Sequence, residues 1–245
     1  MFSVLVLLAS VLAGAVAALS GFGIGSLLTP LLAAQYGTKL AVAIVSVPHL
    51  LATAARFVGL RQHLDRKVFL NFGIMSAAGG LLGALLNARA NSPALALVFG
   101  CVLIFAGLCG LTGLIDRMRF GRKMAWLAGA LSGFFGGLVG NQGGIRSAAL
   151  LGFEVRKETL VATATAVAPI VAGARMPVYL AVEGKGILSA WPVLATSIIG
   201  VLLGTFWGVR WLRQVAEKNF RTLLNVLVLA LGIYMLVHGL TIRGT

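Results

Sequence analysis

The distribution of apolar residues constrains the fold of this chain more than any other feature. The runs fall at roughly 1–35, 41–60, 68–88, 94–115, 124–153, 159–182, 187–209 and 222–241, and short charged segments separate them. A run of about 20 apolar residues is long enough to cross the hydrocarbon core of a bilayer as one helix. Because 59% of the 245 residues are hydrophobic and only 11% are charged, we predict an all-α, multi-spanning membrane protein.

Two of these runs are too long for one crossing, and glycines interrupt both of them. The first contains SGFGIGS at Ser20–Ser26, and the fifth contains GFFGGLVGNQGGIRS at Gly133–Ser147. Each glycine lowers helix stability by about 1 kcal/mol relative to Ala, and a break in a membrane helix must be enclosed by protein or line a cavity. We therefore predict a helical hairpin in each long run. The first run lacks the basic start of a signal peptide, so we interpret it as a retained membrane segment.

The two halves of the chain match each other, which indicates an internal duplication. When the two halves are aligned with an offset of 119 residues, and of 121 residues further along each half, glycines, prolines and arginines match in the same order. The aligned pairs are Gly14 with Gly133, Gly21 with Gly140, Gly25 with Gly144, Arg56 with Arg175, Pro48 with Pro169, Gly79 with Gly200, Gly83 with Gly204 and Arg89 with Arg210. We divide the chain into an N-terminal repeat, 1–119, and a C-terminal repeat, 120–245.

Basic residues are distributed oppositely between equivalent loops of the two repeats. Loop 61–67 is basic while its counterpart 183–186 is not, and loop 89–93 is poor in charge while its counterpart 210–221 carries four basic residues. Because basic loops face the cytoplasm, we predict inverted repeats, each a broken-helix hairpin plus three transmembrane helices. The alternative is a parallel repeat of four plus four helices. The net charge of +14 reflects these loops, so we expect no nucleic-acid partner.

Motifs along the whole chain resemble the sulfite exporter TauE/SafE family. The resemblance rests on the glycine-rich break in each half, on Thr29-Pro30 after the first break and on VATATAVAPIVAG at 161–173 after the second. It implies transport of small sulfur-containing anions such as sulfite, sulfonates or thiosulfate, and a place in the bacterial inner membrane. The chain departs from the family pattern at Asn141-Gln142, where small residues are usual, and at Ala149, where a proline is expected.

Three arginines, Arg56, Arg146 and Arg175, fall inside apolar runs, whereas no acidic residue does. An unpaired arginine at the bilayer centre costs at least ~2.5–3.5 kcal/mol, so each should face a cavity or a bound anion. The planar guanidinium also matches the oxygens of sulfite or a sulfonate. Alternatively, Arg56 extends to the membrane surface and Arg146 caps carbonyls within its own hairpin. Pro177 should disturb the helix near Arg175.

Neutral polar groups near the breaks complete the predicted binding site. The amides of Asn141 and Gln142 can donate hydrogen bonds to an oxyanion or bridge the hairpin backbone. His49 is the candidate proton carrier within the membrane, with a purely structural histidine as the alternative. A helix starting near Gly143 or Gly144 would direct unpaired N–H groups at an anion. The glycines assigned to the binding site are Gly23, Gly25, Gly143 and Gly144.

These observations predict a transporter of small sulfur-containing oxyanions that works by alternating access around the glycine-rich breaks. A membrane-embedded enzyme and a transporter of an unrelated small anion are the alternatives, while the lack of intramembrane carboxylates disfavours a cation transporter. We expect no catalytic residue, no metal and no cofactor. The expected partners are the anionic substrate and the lipid bilayer, and a homo-oligomer is left open.

Overall fold

A computed structural model describes residues 2–21, 23–114, 122–141, 146, 157–208, 210, 214 and 217–243. This part of the chain is almost entirely helical and contains no strand, which confirms the all-α prediction. Its α-helices are α1 (Phe2–Ser20), α2 (Ile24–Leu60), α3 (Arg66–Arg89), α4 (Ser92–Leu111), α5 (Arg122–Val139), α6 (Lys157–Ser189), α7 (Trp191–Leu203) and α8 (Glu217–Arg243). A 3₁₀ turn, Arg61–His63, follows α2, and a π-helical turn, Gly204–Gly208, follows α7.

Six helical segments in the described part of the chain are long and apolar enough to cross a membrane, as predicted for a multi-spanning protein. They are Phe2–Ser20, Ile24–His63, Arg66–Arg89, Ser92–Leu111, Val161–Ser189 and Asn219–Ile242. The run 187–209, predicted to be one spanning helix, instead holds the short α7 and the π-helical turn.

Both predicted breaks in the helices occur, and a glycine with the same φ begins each of them. α1 ends at Ser20 and is followed by Gly21 with φ 78°, while α5 ends at Val139 and is followed by Gly140, also with φ 78°. Glycine adopts positive φ without the steric cost that other residues incur. The two helix ends are 119 residues apart, which is the predicted repeat offset.

The chain differs from the sequence-based expectation at two further positions in the helices. α2 is broken at Gly37, where φ is 74° and ψ is 156°, so 24–36 and 38–60 are separate helical segments. α6 continues through Pro169 and Pro177, so the disturbance expected at Pro177 does not end the helix. Proline removes one backbone hydrogen bond but has a φ that is compatible with a helix, and neighbouring helices hold the segment in place.

The first helix of each hairpin packs parallel to a helix of the other half. α1 lies along α7, and α5 lies along α3. In each pair, residues nearer the C-terminus of one helix contact residues nearer the C-terminus of the other, so the two helices are parallel. Glycine permits the close approach in both pairs. A Cβ at Gly14 would overlap the Val201 carbonyl oxygen, and one at the equivalent Gly133 would overlap the Ser76 carbonyl oxygen.

Helices at equivalent positions in the two halves pack against each other in opposite directions. In the pair α4 and α8, a Cβ on Gly100 would lie 2.8 Å from the amide nitrogen of Leu236, which is late in α8. Gly110, ten residues further along α4, faces the side chain of Asn225, which is early in α8. The two helices are therefore antiparallel. Antiparallel packing of equivalent helices is the geometry that inverted repeats produce. The inverted arrangement of the two repeats and its orientation in the membrane stay predictions.

Contacts between helix ends define two ends of the bundle. At one end, Lys39 Nζ donates to the Ala88 carbonyl oxygen (2.7 Å), and Gly186 of α6 packs against the residue that follows Lys39. At the other end, the Asp65 amide lies 3.4 Å from Thr163 Oγ1, near the start of α6. We call these the Lys39 end and the Asp65 end. α2 and α6 therefore also run antiparallel.

The helices α1 and α5 enter the bundle from opposite ends. α7 begins two residues after α6 reaches the Lys39 end, so the parallel α1 also starts there. The segment 24–36 then returns to Gly37, two residues before Lys39, which completes the first hairpin. α5 starts beside the start of α3, at the Asp65 end. The ends of α1 and α5 therefore point toward each other inside the bundle, while the return arm predicted for the second hairpin lies outside the described residues.

Candidate functional site

The hairpin turns meet where Gly25 faces Gly140. A Cβ on Gly25 would overlap the Gly140 carbonyl oxygen, so a residue without a side chain is required there. A Cβ on Gly140 would lie 3.8 Å from Thr29 Oγ1 and 3.6 Å from a methyl group of Val42. The Thr29 hydroxyl is buried and has no hydrogen-bond partner among the described residues. Sequence reasoning used Thr29 only as a family motif and missed this position.

Two of the three predicted arginines bind the ends of helices. Arg56 Nη1 donates to the Ala17 carbonyl oxygen (2.8 Å) of α1, and Arg175 Nη1 donates to the Gly136 carbonyl oxygen of α5. The last carbonyls of a helix have no partner within that helix, and cations near this end are favourable. Arg56 therefore turns toward α1 instead of extending along its own helix to the membrane surface.

Two residues that sequence reasoning missed also bind the end of α5. The Tyr179 hydroxyl donates to the Gly137 carbonyl oxygen, and Asn87 Nδ2 donates to the Leu138 carbonyl oxygen (2.8 Å). The guanidinium of Arg175 lies 5.8 Å from the centre of the Tyr179 ring, within the range of a cation–π interaction. The sequence contained only a weak indication of these contacts: Asn87 is a polar residue in an otherwise apolar part of its run, and the structure shows that it is buried.

Arg146 differs from the other two arginines because two of its three donor nitrogens have no partner in the described part of the chain. Its side chain is only 3% exposed, and Nη2 donates to the Gly21 carbonyl oxygen (2.9 Å) in the turn of the first hairpin. Nε and Nη1 have no partner among the described residues. The predicted alternative, capping within its own hairpin, is therefore not the contact observed. Buried donors without partners destabilise a structure, so a ligand that accepts from them would be stabilising.

His49 lies buried in α2, on the same helical segment as Arg56. Nδ1 is buried and has no partner in the described part of the chain. Its backbone is held by Thr53, whose hydroxyl donates to the His49 carbonyl oxygen (2.6 Å).

Among the described residues, no acidic side chain contacts these cations. Asp65 accepts hydrogen bonds from the amides of Lys67 and Val68 at the start of α3. Glu183 lies near Gly186 toward the end of α6, at the Lys39 end. Among the described residues, the region of Arg56, Arg146 and Arg175 therefore carries positive charge without a carboxylate beside it, which suits an anion.

The other predicted site residues lie at the same breaks or outside the described residues. Gly23, with φ 136°, precedes the helical segment 24–36, and Asn141, which is buried, directly follows the turn at Gly140. The predictions for Gln142, Gly143 and Gly144 fall outside the described residues. The structure thus brings Gly23, Gly25, Asn141 and the three arginines to the region where the hairpin turns meet.

Comparison with known proteins agrees with this architecture. The model of the family described as sulfite exporter TauE/SafE matches residues 6–235, almost the whole chain. No curated protein and no solved structure matches the chain. The family match and the multi-helix membrane fold lead to one conclusion: this chain belongs to the sulfite exporter TauE/SafE family.

Proposed function

We propose that the chain carries small sulfur-containing oxyanions of the sulfite, sulfonate or thiosulfate type across the cell membrane. Its family and its six helices of spanning length support a multi-pass membrane transporter. The substrate class rests on the family description together with the charge of the site, and the proposed site lies where the two hairpin turns meet.

One observation carries the proposal: the guanidinium of Arg146 is buried with two nitrogens unpartnered among the described residues. A guanidinium binds two oxygens of one oxyanion through Nη2 together with either Nε or Nη1. Gly21 accepts from Nη2, which carries a second hydrogen, and both Nε and Nη1 lack a partner among the described residues. Thr29 Oγ1 adds a donor, and the charges of Arg56 and Arg175 add to the positive potential. A bound oxyanion would accept hydrogen bonds from groups that have no partner in the described part of the chain.

We infer that transport proceeds by alternating access around this site. The proposal is supported by α1 and α5, which approach the site from opposite ends of the bundle, so that movement of one of them at a time would open the site to one side at a time. The alternative of a membrane-embedded enzyme has no support in the described residues, where His49 is the one group near the site that can act as a base.

Flux measurements on purified protein in liposomes test the proposal. Vesicles loaded with unlabelled sulfite, thiosulfate or a small alkyl sulfonate should drive uptake of labelled thiosulfate, whereas vesicles loaded with acetate should not. Arg146→Ala should abolish this counterflow, while Arg89→Ala, which removes an exposed cation at the Lys39 end, should preserve it. Uptake by acetate-loaded vesicles would contradict the substrate class, and chemical conversion of the label would support an enzyme instead.

A further inference from the structure

Arg56 and Arg175 use their donor nitrogens differently, although the two residues are aligned at the offset of 119. Arg56 Nη1 donates to the Ala17 carbonyl oxygen (2.8 Å), and Arg56 Nη2 donates to the Ala18 carbonyl oxygen (3.3 Å). Both terminal nitrogens of this guanidinium are therefore bound to the end of α1.

At the end of α5, a tyrosine takes the place of the second arginine nitrogen. Arg175 Nη1 donates to the Gly136 carbonyl oxygen, whereas the Gly137 carbonyl oxygen accepts from the Tyr179 hydroxyl. Gly137 lies 119 residues after Ala18, so two aligned carbonyls have different donors. Because Tyr179 already donates to Gly137, the end of α5 does not require Nη2 of Arg175.

The tyrosine explains the difference between the two arginines. Tyr179 follows Arg175 by four residues on α6, and its ring centre lies 5.8 Å from the guanidinium carbon. Residues four apart are neighbours on one face of a helix, so both side chains reach the same helix end. Leu60 follows Arg56 by the same spacing but has no side-chain donor, so Arg56 has to supply both hydrogen bonds itself.

Arg175 has a buried donor that the end of α5 does not use. Its side chain is 1% exposed, and its Nε has no partner among the described residues. Nε and Nη2 form the side of a guanidinium that binds two oxygens of one oxyanion. In Arg56 this side is blocked, because its Nη2 is bound to the Ala18 carbonyl.

The guanidinium of Arg175 also lies beside the contact between the two helix breaks. The Gly136 carbonyl that binds Arg175 accepts a second hydrogen bond from the amide of Gly140 (3.0 Å). A Cβ on Gly140 would lie 3.8 Å from the buried hydroxyl of Thr29, which belongs to the first hairpin. Arg175 therefore approaches the proposed site from α5, while Arg146 binds the first break.

We propose that Arg175 binds the anion together with Arg146, and that Tyr179 is the positioning residue that makes this possible. By donating to the Gly137 carbonyl, the Tyr179 hydroxyl leaves the Nε–Nη2 side of Arg175 for the oxygens of the anion. Arg56 contributes its charge but not this pair of donors. The inference rests on the proposed function, since it requires an oxyanion at the helix breaks.

Equilibrium binding of thiosulfate to purified protein tests the proposal through a double-mutant cycle. Tyr179→Phe keeps the ring but frees the Gly137 carbonyl, which should then bind Nη2 of Arg175. Ala18 binds Nη2 of Arg56 in this way, through a longer bond of 3.3 Å, so the exchange should recover only part of the lost stability. Affinity for thiosulfate should fall roughly 10-fold, as expected when one charge-assisted hydrogen bond to the anion is lost.

Arg175→Gln should weaken binding roughly 10- to 150-fold, and adding Tyr179→Phe should weaken it no further, because no guanidinium remains to be diverted. A purely structural role of Tyr179 would instead lower affinity by the same factor in both backgrounds. Arg56→Gln is the matched control. It removes the aligned cation but no donor to the anion, so it should weaken binding less than Arg175→Gln does.

A loss of affinity in Tyr179→Phe that disappears in the Arg175→Gln background supports the inference. No loss in Tyr179→Phe, equal losses in both backgrounds, or equal effects of Arg56→Gln and Arg175→Gln would overturn it, even where Arg146→Ala weakens binding as proposed. Full binding by Arg146→Ala, or no binding by the unchanged protein, would overturn the proposed function and this inference with it. If Arg175→Gln fails to fold, Arg175→Lys replaces it in the cycle, because lysine keeps a donor for the helix end but has no second nitrogen to divert.

Discussion

At the scale of single residues, the three intramembrane arginines have different hydrogen-bond partners. Arg56 and Arg175 each donate to the end of a helix, whereas Arg146 keeps two donor nitrogens without a partner in the described part of the chain. A donor that is already bound to a carbonyl contributes charge to the site but little directional hydrogen bonding. Arg146 is therefore the residue on which anion affinity should depend most.

We expect Arg146→Ala to weaken the binding of thiosulfate by purified protein roughly 10- to 150-fold, the range that loss of a charge-assisted hydrogen bond produces. Arg146→Lys should recover part of the affinity, because lysine keeps the charge but loses the planar fork. Arg89→Ala serves as the control for removal of a cation elsewhere. Equal affinity of the Arg146→Ala protein and the unchanged protein in equilibrium binding would exclude this arginine from the site.

The Tyr179 hydroxyl is the second residue-scale test. Tyr179→Phe keeps the ring but leaves the buried Gly137 carbonyl without this donor, so the free energy of unfolding should fall by about 1–3 kcal/mol. Tyr234→Phe, at an exposed tyrosine of α8, should change it little. Thermal unfolding in detergent measures both, and equal unfolding temperatures for the two variants would contradict the assigned hydrogen bond.

At the scale of elements, a glycine with positive φ follows the end of a helix at two places, 119 residues apart. Both turns begin with a glycine at φ 78° that directly follows the end of a helix. The glycine is required for its backbone conformation at Gly21, where an added Cβ would meet no atom within 4 Å. At Gly25 it is required for space, because the opposite turn fills the position of a Cβ.

We expect Gly21→Ala and Gly140→Ala to reduce transport strongly, because a positive φ costs an L-residue about 1–2 kcal/mol and the turn shifts to relieve it. Gly113→Ala is a matched control, since Gly113 has a φ of 66° and open space around it, away from the hairpins. All three variants should lose similar stability, and only the first two should lose flux. If all three variants gave the same flux per amount of folded protein, the glycines at the two helix breaks would have no special role in transport.

At the scale of the whole molecule, helix-end contacts place the lysines in two groups. Lys39 and Lys185 lie at one end of the bundle, and Lys67 lies at the other end with the start of α6. This grouping agrees with the reversed distribution of basic residues between equivalent loops. The positive-inside bias then predicts that the end with Lys67 faces the cytoplasm.

Single cysteines at positions 39 and 185 should react with an impermeant thiol reagent on intact cells, in a background without Cys101 and Cys109. Cysteines at 67, 123, 157 and 218 should react only after the cells are opened, because we predict these lysines to face the cytoplasm. Permeabilised cells give the matched control for reactivity at every position. Labelling of positions 67 and 185 from the same side would rule out the inverted arrangement.

The sequence by itself determined the all-α membrane fold and the positions of the two helix breaks. These features depend on local chemistry: apolar runs of spanning length form helices, and clustered glycines break them wherever they occur. The same offset that aligns Arg56 with Arg175 also separates Ser20 from Val139, the ends of the two hairpin helices. The sequence also limited the candidate cations to three arginines, because it contains no other basic residue inside a run.

Only the tertiary structure decided which arginine donors have partners: Nε and Nη1 of Arg146 and Nε of Arg175 have none among the described residues. Arg146 meets a carbonyl that is 125 residues away, and Asn87 and Tyr179 reach the end of α5 from 51 and 42 residues away. No local pattern specifies such partners, because they depend on which helix end comes within reach of a side chain after packing. The break at Gly37 and the continuation of α6 through Pro177 are likewise set by neighbouring helices, which decide whether a locally unfavourable residue bends a helix or is held within it.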